Sequence, residues 1–226
     1  PPEAKNVMAS ARDPSRKWYG VYANYNSPAF NTKLVRKEDL PKTYEEFLTK
    51  KDWVGRVAIE GTDNEWMNAI FAHYGPQKGR KLLEDIASTL KVTVLDGHLA
   101  AARAVAAGEY AVALNNYTML TINQMLSGAP TDFWVMDPVA VFFGQVALNP
   151  KAPHPNAAKL AANFMLSQEA QTFAAKTGRI PTRPDVTPNP PDVVTRLQQA
   201  KVMPYALSGD QIKASQRTFD EIFKKR

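Results

Sequence analysis

The sequence predicts an α/β fold. Three observations carry the prediction: short β-branched runs alternate with segments of helical periodicity over residues 57–136, a long apolar extended run follows at 139–148, and the remainder is mainly helical. With 226 residues and 44% hydrophobic content, the chain can bury a core large enough for one domain or two smaller lobes.

The elements follow in order. WYGVYANY, residues 18–25, is rich in aromatic and β-branched residues and predicts a strand, closed by the turn-like NSPAFN. In TYEEFLTKKDWVG, Thr43 precedes Glu46 by three residues, a capping-box spacing that makes Thr43 the N-cap of a short helix ended by Gly55. RVAIE then forms a strand. After Glu60 comes the polar loop Gly61-Thr62-Asp63-Asn64, and Trp66, Met67, Ile70 and Phe71 recur beyond it at helical spacing. A second helix, QKGRKLLEDIASTL, leads to the strand KVTVL. Asp96 stands where it would cap the alanine-rich helix 99–107, and Gly108 closes that helix in the left-handed conformation. A strand to Asn115, a helix TMLTINQMLSG and a strand at 133–136 complete a unit with a largely parallel sheet. Beyond Asp137 lie the apolar PVAVFFGQVALN and the helix HPNAAKLAANFML, with Pro155 in its first turn, and the proline-rich 182–192 predicts a surface loop.

Composition narrows the function classes. No apolar run approaches the roughly 20 residues of a membrane-spanning helix. The absence of cysteine excludes disulfides, thiolate metal sites and a cysteine nucleophile. The net charge of +6 is spread along the chain among acids, with no basic stripe, so nucleic acid is not an expected partner. Lys50-Lys51 and Lys224-Lys225-Arg226 are read as solvated helix ends. The opening Pro1-Pro2-Glu3 suggests a processing boundary. No nucleophile elbow, Walker loop or dinucleotide fingerprint occurs, and His73, His98 and His154 lack zinc-type spacing. Neither a catalytic residue nor a resident cofactor is predicted, and an enzyme is not expected.

Three polar clusters remain as site candidates. Asn115, Asn116, Tyr117 and Thr118 end an apolar strand with four hydrogen-bonding side chains, at the strand end where α/β sheets bind ligands. Thr62, Asp63 and Asn64 precede a helix whose free amides suit an anion, although Asp63 and Glu65 carry the wrong charge for a naked one and favour a cationic or zwitterionic ligand. Asp96, Gly97 and His98 form a third helix start. A plainer reading stays open for each: the asparagines satisfy backbone groups, Thr62 or Asp63 is only an N-cap, and His98 is structural.

Four stretches together resemble the type 2 periplasmic solute-binding proteins of ABC importers, the iron(III)-binding-protein-like branch of the extracellular solute-binding proteins. They are DPSRKWYGVYANYNSPAFNT, WVGRVAIEGTDNEWMNAI, AARAVAAGEYAVALNNYT and NPKAPHPNAAKLAANFMLSQEAQTFAAKTGRIPTRPDV. The resemblance implies two lobes, each a mixed sheet flanked by helices, with solute held in a cleft that closes by a hinge. It divides the chain into lobe two at 23–137, with 1–22 and 138–226 forming crossover strands, the rest of lobe one and C-terminal helices. It also implies about a hundred further residues before Pro1 in the family pattern, a domain-sized stretch. On that reading the chain is a fragment with an incomplete first lobe that binds weakly, and its exposed lobe-one surfaces dimerise or repack. The implied function is periplasmic, or extracellular and membrane-tethered: capture of a small polar or charged solute and delivery to an ABC permease. Two alternatives accompany it. One is a ferric-ion carrier using Tyr117 with a synergistic anion, where Thr118 replaces the second tyrosine of the iron-binding pattern. The other is a ligand-sensing adaptor.

Overall fold

The computed structural model describes residues 1–205 and 207–224; Lys225 and Arg226 of the basic terminal cluster lie outside the described residues. Its elements run β1 (Trp18–Asn31), β2 (Val57–Glu60), α1 (Asn64–Tyr74), α2 (Pro76–Leu90), β3 (Thr93–Leu95), α3 (His98–Ala107), β4 (Val112–Tyr117), α4 (Thr118–Leu126), β5 (Thr131–Phe133), β6 (Val139–Ala147), α5 (Pro155–Met165), α6 (Gln168–Ala175), β7 (Ile180–Pro181), α7 (Val193–Leu197), β8 (Val202–Pro204) and α8 (Gly209–Phe223). The chain divides into two compact units, Tyr25–Val141 with Thr195–Arg226, and Pro1–Asn24 with Phe142–Val194.

In the larger unit the strands are ordered β3-β2-β4-β1. β2 pairs parallel with β3 and β4, whereas β1 pairs antiparallel with β4 and β5, so the sheet is mixed rather than largely parallel. The antiparallel partner is the segment expected to turn. NSPAFN continues β1, and the register shifts between Ser27 and Ala29, around Pro28. A proline has no N–H for the ladder, and a bulge lets the strand pass it without breaking.

Helices cover this sheet with an aromatic core. Tyr44, Phe47, Trp66, Met67, Ile70, Leu83, Ile86 and Phe219 are all buried in one cluster. The ring of Trp66 lies 6.4 Å from that of Phe223 and donates its indole N–H to the Tyr44 hydroxyl at 2.9 Å. This packing puts 195–226 with the larger unit: α8, one of the C-terminal helices that the resemblance grouped with the crossover strands and the rest of lobe one, seats Phe219, Ile222 and Phe223 in the core shared with α1 and α2. Tyr44, drawn into the same core, also displaces the expected cap. Residues Glu45–Thr49 form a 3-10 turn without side-chain capping, and the Glu46 carboxylate accepts from the Lys42 N–H instead.

Two further helix ends test capping chemistry. Gly108 closes α3 at φ 82°, as expected of a residue without Cβ. At the other end Gly97, not Asp96, holds the N-cap position, at φ 92°, and Asp96 is exposed. The Gly97 N–H is turned toward Glu60, a geometry with positive φ that glycine tolerates and aspartate does not readily adopt.

The smaller unit pairs the first half of β1 with β7, Tyr22 opposite Pro181 and Ala23 opposite Ile180, and packs Ala4 and Val7 on Leu166. Pro155 stands in the first turn of α5 as expected. The proline-rich segment is anchored rather than merely superficial. Thr182 and Arg183 are buried because the Gln171 side-chain oxygen accepts both their N–H groups, at 2.9 and 3.0 Å, and Arg183 pairs with Glu3 and Asp185. Leu160, Phe164 and Phe173 of α5 and α6 are exposed.

Candidate functional site

Because β2, β3 and β4 are parallel, their C-terminal ends share one edge of the larger unit, the edge at which open α/β sheets bind ligands. Three helices start there: α1 after the loop 61–63, α3 after 96–97, and α4 directly from β4.

Asn115 fixes the spacing of this edge. Backbone pairing between β2 and β4 runs through Val57↔Val112 and Ala58↔Ala113. The Asn115 side chain then acts as one more peptide group: its oxygen accepts from the Glu60 N–H at 2.7 Å, and its amide donates to the Glu60 carbonyl at 3.1 Å. A side-chain amide suits this because it carries the same donor and acceptor as the backbone.

The Glu60 carboxylate, buried at the end of β2, gathers the neighbouring loops. It accepts from the Thr62 N–H at 2.8 Å, from the Thr62 hydroxyl at 2.9 and 3.1 Å, and from the Gly97 N–H at 3.3 Å. His98 Nε2 stands 3.4 Å from a Glu60 oxygen and 4.0 Å from an Asp63 oxygen. The imidazole stacks on Tyr117, with ring centroids 3.5 Å apart and planes inclined by 22°. Asp63 caps α1 by accepting from the Trp66 N–H and takes a second hydrogen bond from the Asn26 amide. Asn64 donates to the Thr62 carbonyl and to Gln216 of α8, while Gln216 also holds the Gly61 carbonyl.

Burial governs the electrostatics. Desolvation raises the Asp63 carboxyl well above its ordinary range, and nearby Glu65 and Glu60 push the same way. His98 is pushed down to about 4, chiefly by burial, against the opposing pull of Glu60 and Asn116. The edge therefore holds a neutral imidazole at neutral pH. Among the described residues, the side-chain oxygens of Asn26, Asn64 and Asn116 and both nitrogens of His98 are buried without a hydrogen-bond partner, as are the Asn24 side-chain oxygen and His73 Nδ1.

Residues 1–205 match the model of the bacterial extracellular solute-binding proteins. The chain belongs to that family. Solved structures share its fold. AfuA from Actinobacillus pleuropneumoniae, with fructose-6-phosphate bound, is 21% identical with a TM-score of 0.81, over 100% of this chain and 75% of that one. A substrate-binding protein of an ABC transporter from Agrobacterium tumefaciens is 15% identical at 0.79, over 98% and 71%. Iron-bound HitA from Pseudomonas aeruginosa is 20% identical at 0.71, over 98% and 74%. A search of the curated proteins finds no match. The molecule is thus a solute-binding protein with periplasmic-binding-protein architecture, from a family of binding proteins rather than enzymes. No helix among its described residues is long and apolar enough to cross a membrane.

The solute-binding protein places its sequence-predicted residues at two depths. Thr62 and Asp96 are exposed and Tyr117 is half-buried; Asp63, Asn64, Asn115 and Asn116 are buried. Asp63 is the N-cap of α1, and Asn115 satisfies backbone groups of Glu60. Asn116 donates to the Thr121 hydroxyl at 3.1 Å. Thr118 is fully buried; its hydroxyl donates to the Tyr25 carbonyl and pairs with Ser27. Arg103 is exposed on α3. No group of three or more His, Cys, Asp or Glu side chains among the described residues is arranged to hold a metal ion. Glu60 and Asn26 escaped the sequence reading. The only signal for Glu60 was an acid ending an apolar strand immediately before a glycine.

Proposed function

We propose that this solute-binding protein captures a small polar solute on the strand-end edge of its larger unit and delivers it to the membrane subunits of an ABC importer, working in the periplasm. Thr62, Tyr117 and Asp96 touch the solute at the rim. Asn64, Asn116 and His98 offer it the polar atoms that lack partners, while Asp63 and Asn115 hold the frame. Nothing is transformed, and hydrogen bonds suffice without a resident cofactor.

The observation that supports this reading is the convergence of loops 61–64, 96–98 and 115–118 around Glu60, with unpartnered buried amide oxygens beside them. Native cores pair such atoms, so a cluster of exceptions points to a ligand. Acceptors dominate it: the three unpartnered amide oxygens favour a solute bearing hydroxyl or ammonium donors over a naked anion. The ferric alternative has one phenol, Tyr117, because the Thr118 hydroxyl is already committed inside the unit.

Native mass spectrometry of the purified chain, followed by calorimetry with the co-purifying solute, tests the reading. The expected result is one solute per chain and at least tenfold weaker binding by Tyr117→Ala and by Thr62→Ala. Unchanged affinity in a variant carrying both substitutions would refute it.

A further inference from the structure

We propose that Glu60 is the positioning residue of this site: its buried carboxylate ties the loop that starts α1 to the loop that starts α3 and sets the orientation of the His98 imidazole against Tyr117. The inference rests on the solute-binding reading above and adds a residue to it that touches no solute.

The geometry carries it. Glu60 is 1% exposed, and a carboxylate so placed is costly unless donors surround it. Those donors come from both loops. One oxygen takes the Thr62 N–H, the other takes the Gly97 N–H, and the Thr62 hydroxyl lies between them. No single loop supplies the set, so the carboxylate acts as a strap across the strand ends. Its own backbone is fixed in turn by Asn115 on β4. One residue thereby registers all three segments that build the edge. The same carboxylate faces His98 Nε2 at 3.4 Å, with Asp63 at 4.0 Å. Glu60 is the nearer acceptor, so although Nε2 makes no hydrogen bond within the protein, the neutral imidazole is favoured with its proton on Nε2, facing that carboxylate, and Nδ1 is left as the acceptor. A ring that rotates or changes tautomer would present the wrong atom beside the Tyr117 ring.

Glu60→Gln isolates this role. The amide keeps the volume, but its nitrogen cannot accept, so in either orientation one of the two backbone N–H groups loses its partner. Three readouts follow on the full chain. Solute affinity is expected to fall about tenfold. The His98 ring nitrogens are expected to shift in long-range proton–nitrogen correlation spectra from the Nε2–H pattern of the wild type toward a mixture of tautomers. The Gly97 or Thr62 amide is expected to lose its protection from hydrogen exchange. A merely structural Glu60 would lower the melting temperature while leaving the affinity of the folded protein and the His98 signals unchanged, and that result would overturn the proposal. Should the variant fail to fold, the wild type alone decides: unprotected Thr62 and Gly97 amides, or a proton on Nδ1, would refute the strap. If neither protein binds a solute, the function reading fails, and the exchange and imidazole signals still judge the strap separately.

Discussion

Replacing Asn115 by alanine removes the two hydrogen bonds that extend the β2–β4 ladder to Glu60, at 2.7 and 3.1 Å. Asn115 is 0% exposed and Glu60 1%, so water does not reach the freed groups without rearrangement. Each buried backbone group left unpaired costs about 1–3 kcal/mol. Partial relaxation of the strand end offsets some of the sum, giving an expected loss of about 2–4 kcal/mol, large beside the roughly 5–15 kcal/mol stability of a typical domain. Urea denaturation followed by tryptophan fluorescence measures it, as a lower midpoint at constant slope. Asn115→Asp sharpens the test. It keeps the acceptor for the Glu60 N–H but loses the donor to the Glu60 carbonyl and adds a carboxylate beside another. It should therefore destabilise at least as much as alanine. A loss below about 0.5 kcal/mol for alanine, within the range of ordinary surface changes, would refute the surrogate-peptide account.

Other expectations concern neighbouring residues. Asp63→Ala should cost about 1–2 kcal/mol through the lost cap of α1, whereas Asp63→Asn should stay within about 1 kcal/mol, because asparagine caps equally well and relieves the buried charge; thermal denaturation of the pair separates the two effects. His98 sets a pH dependence. Its folded value of about 4 lies below the ordinary 6.5, so between these values the unfolded chain binds the proton and the folded chain does not. The His98 contribution is therefore whole above pH 6.5 and declines as pH falls toward 4, and His98→Gln should flatten a stability profile measured across that window.

Much of the fold could be read because periodicity and punctuation act locally. The helices of Trp66, Met67 and Ile70 and of Leu83 and Ile86 follow the apolar spacing, and Gly108 ends its helix by chain geometry alone. The failures are places where a distant partner outweighs local chemistry. Asn-Ser-Pro has turn composition, yet β4 and β5 pair with that segment from more than 80 residues away. Asp96 is a good capping residue, but Glu60 captures the Gly97 N–H first. At the candidate site, the strand-end position of 115–117 was legible from the abrupt change to polar side chains. Which of them faces solvent was not, since the partner of Asn115 is a backbone group 55 residues earlier in the chain.

Depth then separates frame from rim. The frame residues Asp63, Asn115 and Thr118 each spend their polar atoms on the protein itself, capping α1, extending a ladder or holding the Tyr25 carbonyl. Rim residue Asp96 is exposed, so its side chain has less of the fold to support, while Tyr117 is half-buried and stacks on His98. The two groups should respond differently to the same perturbation. Asp96→Ala should leave stability within about 0.5 kcal/mol of the wild type, as surface substitutions do. If Asp96 meets the donor of a solute, the same variant should bind several-fold more weakly. Asn115→Ala should instead lose stability first and affinity only through the loosened edge. Paired denaturation and calorimetry on both variants test this division; an Asp96→Ala protein that unfolds like Asn115→Ala, or binds like the wild type, would remove Asp96 from the rim.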